Sequence, residues 1–263
     1  MAWTASLVRT PLIVGNWKMN TTLSDAVTLM QALLPRVADL NTIELVVCPP
    51  FPWIVDVRRM VAQSSISVGA QNIHTQDGGA YTGEVSARML ADVCNYVLVG
   101  QYERRILFAD KDAIVRQKML VALKRGLRPI LCVGETADQL DEGSGAYVLT
   151  AQLESALEEA EVSSSLVVAY EPVWTTMGRV APPPLSYVGE MCGIVRDTVR
   201  DLQGGELAES IRVIYGGQVS PRNVQEIAAD ERIDGVLAGS ASVNADNFAA
   251  LARAFSERKS PGI

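Results

Sequence analysis

Short apolar runs alternate with helix-like segments along this chain, and the alternation occurs eight times. Each run is too short for a helix and ends at a glycine, a proline or polar residues, which predicts a strand buried on both faces. The predicted strands are Leu12–Met19, Ile43–Cys48, Ile66–Gln71, Tyr96–Gly100, Pro129–Val133, Leu166–Glu171, Arg212–Tyr215 and Gly235–Ala238. Predicted helices separate them, the clearest being Asp112–Gly126, Tyr147–Ala160, Ser186–Leu202 and Ala245–Phe255.

This alternation predicts an α/β fold, a single (β/α)₈ TIM barrel that forms one domain over residues 1–263. The length of 263 residues suits such a barrel, which is typically ~250 residues long. No linker-like change of composition divides the chain. A doubly wound sheet is the alternative, but no GxGxxG follows the first strand, which disfavours a dinucleotide-binding fold.

Charge and cysteine usage exclude several classes of function. The net charge of −7 argues against nonspecific binding to nucleic acid or to an acidic membrane, so an anionic ligand needs a local positive site. No apolar run approaches the ~18 residues of a membrane-spanning helix. The four cysteines contain no CxxC pair, which makes a metal site improbable and favours a reducing cytoplasm. The one histidine, His74, lies in a polar loop where a solvated side chain is favoured, so histidine-dependent catalysis has little support.

Glu171 ends the sixth predicted strand and is followed at once by Pro172. A carboxylate at the carboxyl end of a buried barrel strand lies where such barrels place their catalytic groups. The alternative is a solvated glutamate at the edge of the barrel, since most glutamates are exposed. The other strand ends have to decide between these two interpretations.

Polar residues and glycines follow four more strands. Asn16 and Lys18 end the first strand, two residues apart and therefore on one face. The cluster Gln101–Arg105 follows the fourth, either as part of a site or as a helix start with solvated charges. Gly216-Gly217 and Gly239-Ser240 follow the last two strands, where glycines let backbone N–H groups approach a phosphate. Together these residues favour a small phosphorylated substrate and one carboxylate base that takes a proton from carbon beside a carbonyl.

Eight sequence blocks, in order over nearly the whole chain, resemble the triosephosphate isomerase family. The blocks are GNWKMN at 15–20, AQN at 70–72, GAYTGEVS at 79–86, ERR at 103–105, CVGET at 132–136, AYEPVW at 169–174, YGG at 215–217 and IDGVLAGSAS at 233–242. The resemblance implies an aldose–ketose isomerase of glycolysis and gluconeogenesis in the cytoplasm. It implies no cofactor and no metal.

The resemblance also assigns roles to individual residues. Glu171 matches the general base, and Lys18, with Asn16 beside it, matches the lysine that stabilises the enediolate and the phosphate. Glu103 matches the acid that neighbours this lysine, and Gly239-Ser240 match the phosphate-binding pair.

The loop Asn72–Ser86 is similar to the family's dimerisation loop. The resemblance therefore implies a homodimer, with Thr82, Gly83 and Glu84 at the interface and Thr82 reaching the site of the other subunit.

Four departures from the family pattern affect the expected pocket. Gln101 stands where the family has its catalytic histidine, and Tyr102 stands where it has serine. A glutamine amide donates hydrogen bonds but does not exchange a proton at accessible pH. Gln218 replaces a phosphate-binding serine, and in the altered loop after Trp174 the best match to the phosphate-binding amide is Gly178.

Three functions follow from these observations. The leading one is interconversion of dihydroxyacetone phosphate and glyceraldehyde 3-phosphate through an enediolate. The alternatives are isomerisation of a related ketose phosphate, such as a four-carbon erythrulose phosphate, and a catalytically silent homologue that binds a small phosphorylated ligand.

Overall fold

Eight parallel strands close into a barrel in a computed structural model that describes residues 9–176 and 181–258. Each strand pairs with its neighbours in sequence, and β1 pairs with β8 to close the ring. The strands are β1 (Leu12–Asn16), β2 (Glu44–Cys48), β3 (Ile66–Ala70), β4 (Tyr96–Val99), β5 (Arg128–Val133), β6 (Val167–Tyr170), β7 (Arg212–Tyr215) and β8 (Gly235–Ala238). This closure confirms the predicted TIM barrel and rules out the doubly wound sheet.

Helices lie outside the barrel and between successive strands. They are α1 (Leu23–Val37), α2 (Ile54–Met60), α3 (Ala87–Leu90), α4 (Tyr102–Leu107), α5 (Asp112–Lys124), α6 (Ala137–Asp141), α7 (Gly145–Leu157), α8 (Val173–Thr176), α9 (Leu185–Gln203), α10 (Gly205–Ser210), α11 (Val224–Ala229) and α12 (Ala245–Ser256). Local sequence explains where α1 starts, because Thr22 and Asp25 form a reciprocal capping box. Over the described ranges, no helix is both long and apolar enough to cross a membrane.

The strands bury side chains on both faces, as the apolar runs predicted. Alternate residues point inward and form a small core inside the barrel, which includes Val14, Leu98, Ile130, Ala169 and Ile214. The other residues of each strand pack against the helices in a larger outer core. Because the interior is filled by side chains, polar groups collect only at the two ends of the barrel.

At the amino ends of the strands, a polar cluster forms the floor of the barrel. Glu44, Tyr96, Arg128 and Arg212 each open a strand. The Tyr96 hydroxyl donates to Glu44 Oε1 at 2.6 Å, and Arg212 donates to Glu44 Oε2 at 2.5 Å. Burial alone raises the pKa of Glu44, but these hydrogen bonds and the arginine charges outweigh it and hold the pKa below its ordinary value. The floor is therefore a satisfied ionic network.

The first strand is shorter than predicted, because it ends at Asn16 and not at Met19. Lys18 has a positive φ of 52°, and its backbone N–H donates to the Asn16 side chain at 3.0 Å. A local bond from a side chain to the backbone has replaced the strand ladder there. The argument that put Asn16 and Lys18 on one strand face was therefore wrong, although both side chains reach the same end of the barrel.

Candidate active site

The predicted site residues meet at the carboxyl ends of the strands, around a cleft of about 640 Å³. They come from segments that are far apart in sequence but adjacent in the barrel. The cleft is lined by Asn16 and Lys18 after β1, Gln101 after β4, Glu171 after β6, Gly216, Gly217 and Gln218 after β7, and Gly239 and Ser240 after β8. Gly178 lies outside the described residues, so its predicted role has no structural counterpart here.

Lys18 is one of the cations that line this cleft, and its charge is paired. Its Nζ forms a salt bridge with Glu103, on α4, and lies 4.8 Å from the centre of the Tyr102 ring. Burial alone lowers the pKa of Lys18, but the charge of Glu103 and the hydrogen bond to it raise the pKa above its ordinary value. Lys18 is therefore fully charged at neutral pH, and Glu103 compensates that charge.

A chain of amide hydrogen bonds runs from the backbone after β1 to Glu171. Asn16 Oδ1 accepts from the Lys18 N–H, so its Nδ2 faces Gln101 and donates to Gln101 Oε1 at 3.2 Å. Gln101 Nε2 then donates to Glu171 Oε1 at 2.9 Å and to Cys132 Sγ at 3.0 Å. Because the Lys18 N–H can only donate, Asn16 has to turn its oxygen toward it. The Asn16 nitrogen then faces Gln101, which has to present its own oxygen in turn. The result is an N–H that points at the carboxylate.

Glu171 is buried at the end of β6, with 5% of its surface exposed. Burial raises the pKa of Glu171 to about 7, against the charge of Lys18 and the hydrogen bond from Gln101, which lower it. Glu171 Oε2 is buried and accepts no hydrogen bond from the described residues. A carboxylate that is poorly solvated, oriented and partly ionised at neutral pH is suited to general-base catalysis.

Two glycines make room for Glu171. A Cβ on Gly134, at the end of β5, would lie 1.8 Å from the carbonyl oxygen of Glu171. A Cβ on Gly216 would lie 2.6 Å from Glu171 Cγ and 3.0 Å from Oε1. The N–H of Gly216 donates to the Tyr170 carbonyl at 2.8 Å and is not available to an anion. The expectation that Gly216 offers its N–H to a phosphate was therefore wrong, because the barrel uses that group.

Other groups at the last two strand ends remain compatible with an anion. Gly239 lies beside Lys18, because a Cβ there would be 3.4 Å from Lys18 Cε. Ser240 opens the 3₁₀ turn Ser240–Val243, and no described residue accepts a hydrogen bond from the N–H of Gly239 or Ser240. Gln218, which lies at the rim, donates from its side chain to the Thr175 carbonyl at 2.8 Å.

Glu135 is a buried carboxylate that the sequence pattern did not identify. Glu135 follows β5 as Glu171 follows β6, and it is fully buried. Its Oε1 accepts hydrogen bonds from Tyr170 at 2.9 Å, Trp174 at 3.0 Å and Tyr187 at 3.2 Å. Its position directly after a strand is a signal for Glu135 that the sequence does contain. The three aromatic donors, however, come together only in the folded chain. Glu135 fixes the start of α8 and does not line the cleft.

The predicted interface loop is exposed. Thr82, Gly83 and Glu84 are all solvent-exposed. His74 is half-buried, and its ring lies 4.4 Å from that of Tyr81, so its side chain is only partly solvated. Over residues 9–176 and 181–258, no group of three or more histidine, cysteine or acidic side chains is arranged to hold a metal.

Comparisons with known proteins agree on one family. The family model described as triosephosphate isomerase matches residues 11–255. The chain is 43% identical over 245 residues to the triosephosphate isomerase of Chloroflexus aurantiacus, covering 92% of this chain and 97% of the relative. It is 40% identical over 246 residues to that of Dehalococcoides mccartyi, covering 94% and 96%. The crystal structure of triosephosphate isomerase from Bartonella henselae aligns with a TM-score of 0.86 at 32% identity, covering 94% of this chain and 99% of that one.

Proposed function

The chain belongs to the triosephosphate isomerase family, and we propose that it interconverts dihydroxyacetone phosphate and glyceraldehyde 3-phosphate with Glu171 as the base. The observation that carries this proposal is the buried carboxylate of Glu171, which shares one cleft with the Lys18 ammonium group. Its pKa of about 7 gives an ionised fraction at neutral pH and a base strong enough to take a carbon-bound proton.

The reaction requires one proton to move between two adjacent carbons. The Glu171 carboxylate removes the proton from the carbon beside the carbonyl, and the electron pair of that C–H bond moves to the carbonyl oxygen to give an enediolate. Lys18 and the Asn16 and Gln101 amides stabilise the negative charge on oxygen. Glu171, now protonated, returns the proton to the neighbouring carbon, and the sugar skeleton changes from ketose to aldose.

Gln101 takes the place of the family's catalytic histidine, and it changes how protons reach the substrate oxygens. Its Nε2 already donates to Glu171 and Cys132, so one of these bonds has to be exchanged for a bond to the substrate. The amide polarises an oxygen by donating an N–H but does not pass a proton on. The proton that moves between the two oxygens is therefore carried by Glu171 or by water, which slows turnover without abolishing it.

Exchange of substrate hydrogen with solvent tests the proposal directly. In D₂O, the native protein is expected to place deuterium on the reacting carbon of dihydroxyacetone phosphate, as read by NMR. Glu171→Gln should stop this exchange, because an amide does not accept the proton. The matched control is Glu154→Gln, the same chemical change at an exposed helical residue, which should exchange at the native rate.

A panel of three- to five-carbon ketose phosphates separates the alternatives. A preference for the four-carbon sugar would assign the enzyme to a related ketose phosphate. Exchange with none of the panel, in protein that still binds phosphate esters, would show a catalytically silent homologue and overturn the proposal.

A second experiment addresses Gln101. Gln101→His restores a group that can pass protons between oxygens, and we expect a higher kcat on the triose phosphates. If kcat does not rise while the unfolding transition is unchanged, the missing relay is not what limits turnover.

We further propose a cytoplasmic homodimer that forms through the Asn72–Ser86 loop. The support is family membership together with several large apolar side chains that the described residues leave exposed. Met19 is 97% exposed and Phe108 is 61% exposed, with Met89 and Leu107 also largely exposed. Light scattering after gel filtration should give twice the chain mass, and Thr82→Asp should reduce it. Thr28→Asp, on the exposed side of α1, is the control that should leave the mass unchanged.

A further inference from the structure

The cleft has little positive charge of its own for a dianionic phosphate ester. Three charged side chains line it within the described residues, namely Lys18, Glu171 and Arg222. The charge of Lys18 is compensated by Glu103, and Glu171 is negative when it acts as a base. The whole chain also carries a net charge of −7. If Lys18 were the only cation, the negative charges in and around the cleft would therefore outnumber the positive ones before the substrate binds.

Arg222 is the remaining cation of the cleft, and none of the described residues neutralises it. It is exposed, and its guanidinium forms no ion pair or hydrogen bond within residues 9–176 and 181–258. Most other arginines in the same ranges are paired; Arg104, for example, donates to Asp110 at 2.7 Å. An unpaired guanidinium at the rim of an otherwise electronegative site is available to an incoming anion.

The backbone that carries Arg222 is fixed by its neighbours. Asn223 Oδ1 accepts from the Ser220 N–H at 2.9 Å, and Asn223 Nδ2 donates to the Gln218 carbonyl at 2.7 Å. The Arg222 N–H donates to Ser220 Oγ at 3.4 Å. These bonds hold the segment between β7 and α11 in one conformation, so Arg222 starts from a fixed point on the rim.

We infer that Arg222 is a further substrate-binding residue, which attracts the phosphate group into the cleft. The inference rests on the proposed function, because it takes a phosphate ester to be the ligand. An exposed cation acts on a dianion over several ångströms in water and is screened by salt. Arg222 therefore contributes to the capture of the substrate and not to the proton transfer at Glu171.

Steady-state kinetics at two ionic strengths test this inference. At about 0.01 M ionic strength, Arg222→Gln is expected to lower kcat/KM by roughly three- to tenfold, almost entirely through a higher KM. At about 0.15 M, where the Debye length is ~8 Å, the kcat/KM of Arg222→Gln should be less than about twofold below that of the native protein. Arg222→Glu should give the larger effect, because it reverses the charge.

Arg58→Gln is the matched control. Arg58 is an exposed arginine on α2, forms no ion pair with the described residues and does not line the cleft, and its loss changes the net charge by the same amount. Its kcat/KM should stay close to native at both ionic strengths. An equal loss in both variants would assign the effect to net charge and overturn the inference, as would native kinetics of Arg222→Gln at low salt.

A binding measurement separates this inference from the proposed function. Calorimetric titration with glycerol 3-phosphate, which has no carbonyl to react, should give a higher Kd for Arg222→Gln than for the native protein. Equal Kd values would overturn the role of Arg222 alone. Tight binding that depends on Arg222, in a protein that turns over no ketose phosphate, would support the inference and refute the proposed function.

Discussion

Replacing Gly216 with alanine should displace the catalytic base. The new Cβ would lie 2.6 Å from Glu171 Cγ, whereas carbon atoms pack at about 3.5–4.0 Å. Gly216 follows β7 directly and its N–H is bonded to the Tyr170 carbonyl, so we expect the backbone to stay in place and Glu171 to move by roughly 1 Å. A misplacement of that size costs about 10²-fold in rate. We therefore expect kcat to fall by about two orders of magnitude, with a smaller change in KM.

The assay is triose phosphate turnover by Gly216→Ala together with its urea unfolding curve. Gly193→Ala is the control, because it adds the same methyl group in α9 where no atom lies within 4 Å. That variant should keep native kinetics and unfold at the same or a higher urea concentration. A raised KM with kcat within about threefold of native would refute the reasoning, since the methyl group would then obstruct the ligand and not the base.

Three further predictions concern charge. Because the pKa of Glu171 is about 7, kcat/KM should fall about tenfold per pH unit below pH 7 and level off above it; a flat profile between about pH 5.5 and 8 would contradict this role. The raised pKa also means that the folded protein holds a proton that the unfolded chain releases near the ordinary value of 4.5, so Glu171 costs stability as pH rises. We therefore compare the free energies of unfolding of Glu171→Gln and the native protein. The advantage of the variant should grow by on the order of 3 kcal/mol between about pH 4.5 and 7. A difference that does not change with pH would show that the Glu171 carboxyl is well solvated. Finally, Asp234 pairs with Arg9 at 2.7 Å and with buried Arg196 at 2.5 Å, so Asp234→Ala should cost about 3–5 kcal/mol in urea unfolding. Asp246→Ala, which removes an exposed pair, should cost less than about 1 kcal/mol, and similar losses in both would contradict the weight given to burial.

The sequence predicted the barrel well because strands buried on both faces produce apolar runs that end abruptly. The bounds of β7 and β8 match the prediction, and those of most other strands differ by one residue or two. The first strand was predicted too long because Trp17 and Met19 continue its apolar pattern. A hydrogen bond from the Lys18 backbone to the Asn16 side chain ends the strand, and hydrophobicity does not report such a bond.

The relations between site residues were harder to predict than the residues themselves. The sequence of Gln101–Arg105 fits either part of a site or a helix start with solvated charges. Both interpretations contain part of the structure, because α4 begins at Tyr102 while Gln101 contacts Glu171. The orientation of the Gln101 amide depends on three strand ends that are distant in sequence. The role of Gly216 likewise depends on which side chain lies opposite it, and no local pattern contains that information.

Among the described residues, the ionic floor and the packed interior close the barrel at the amino ends of its strands. Solvent has no route to Glu171 through this filled interior, so water and protons reach the carboxylate from the end on which a ligand enters. A bound molecule that fills that end therefore slows the exchange of protons between this base and bulk water. The proton taken from one carbon is then divided between delivery to the neighbouring carbon and exchange with solvent, so only part of the substrate acquires a solvent hydrogen in each turnover.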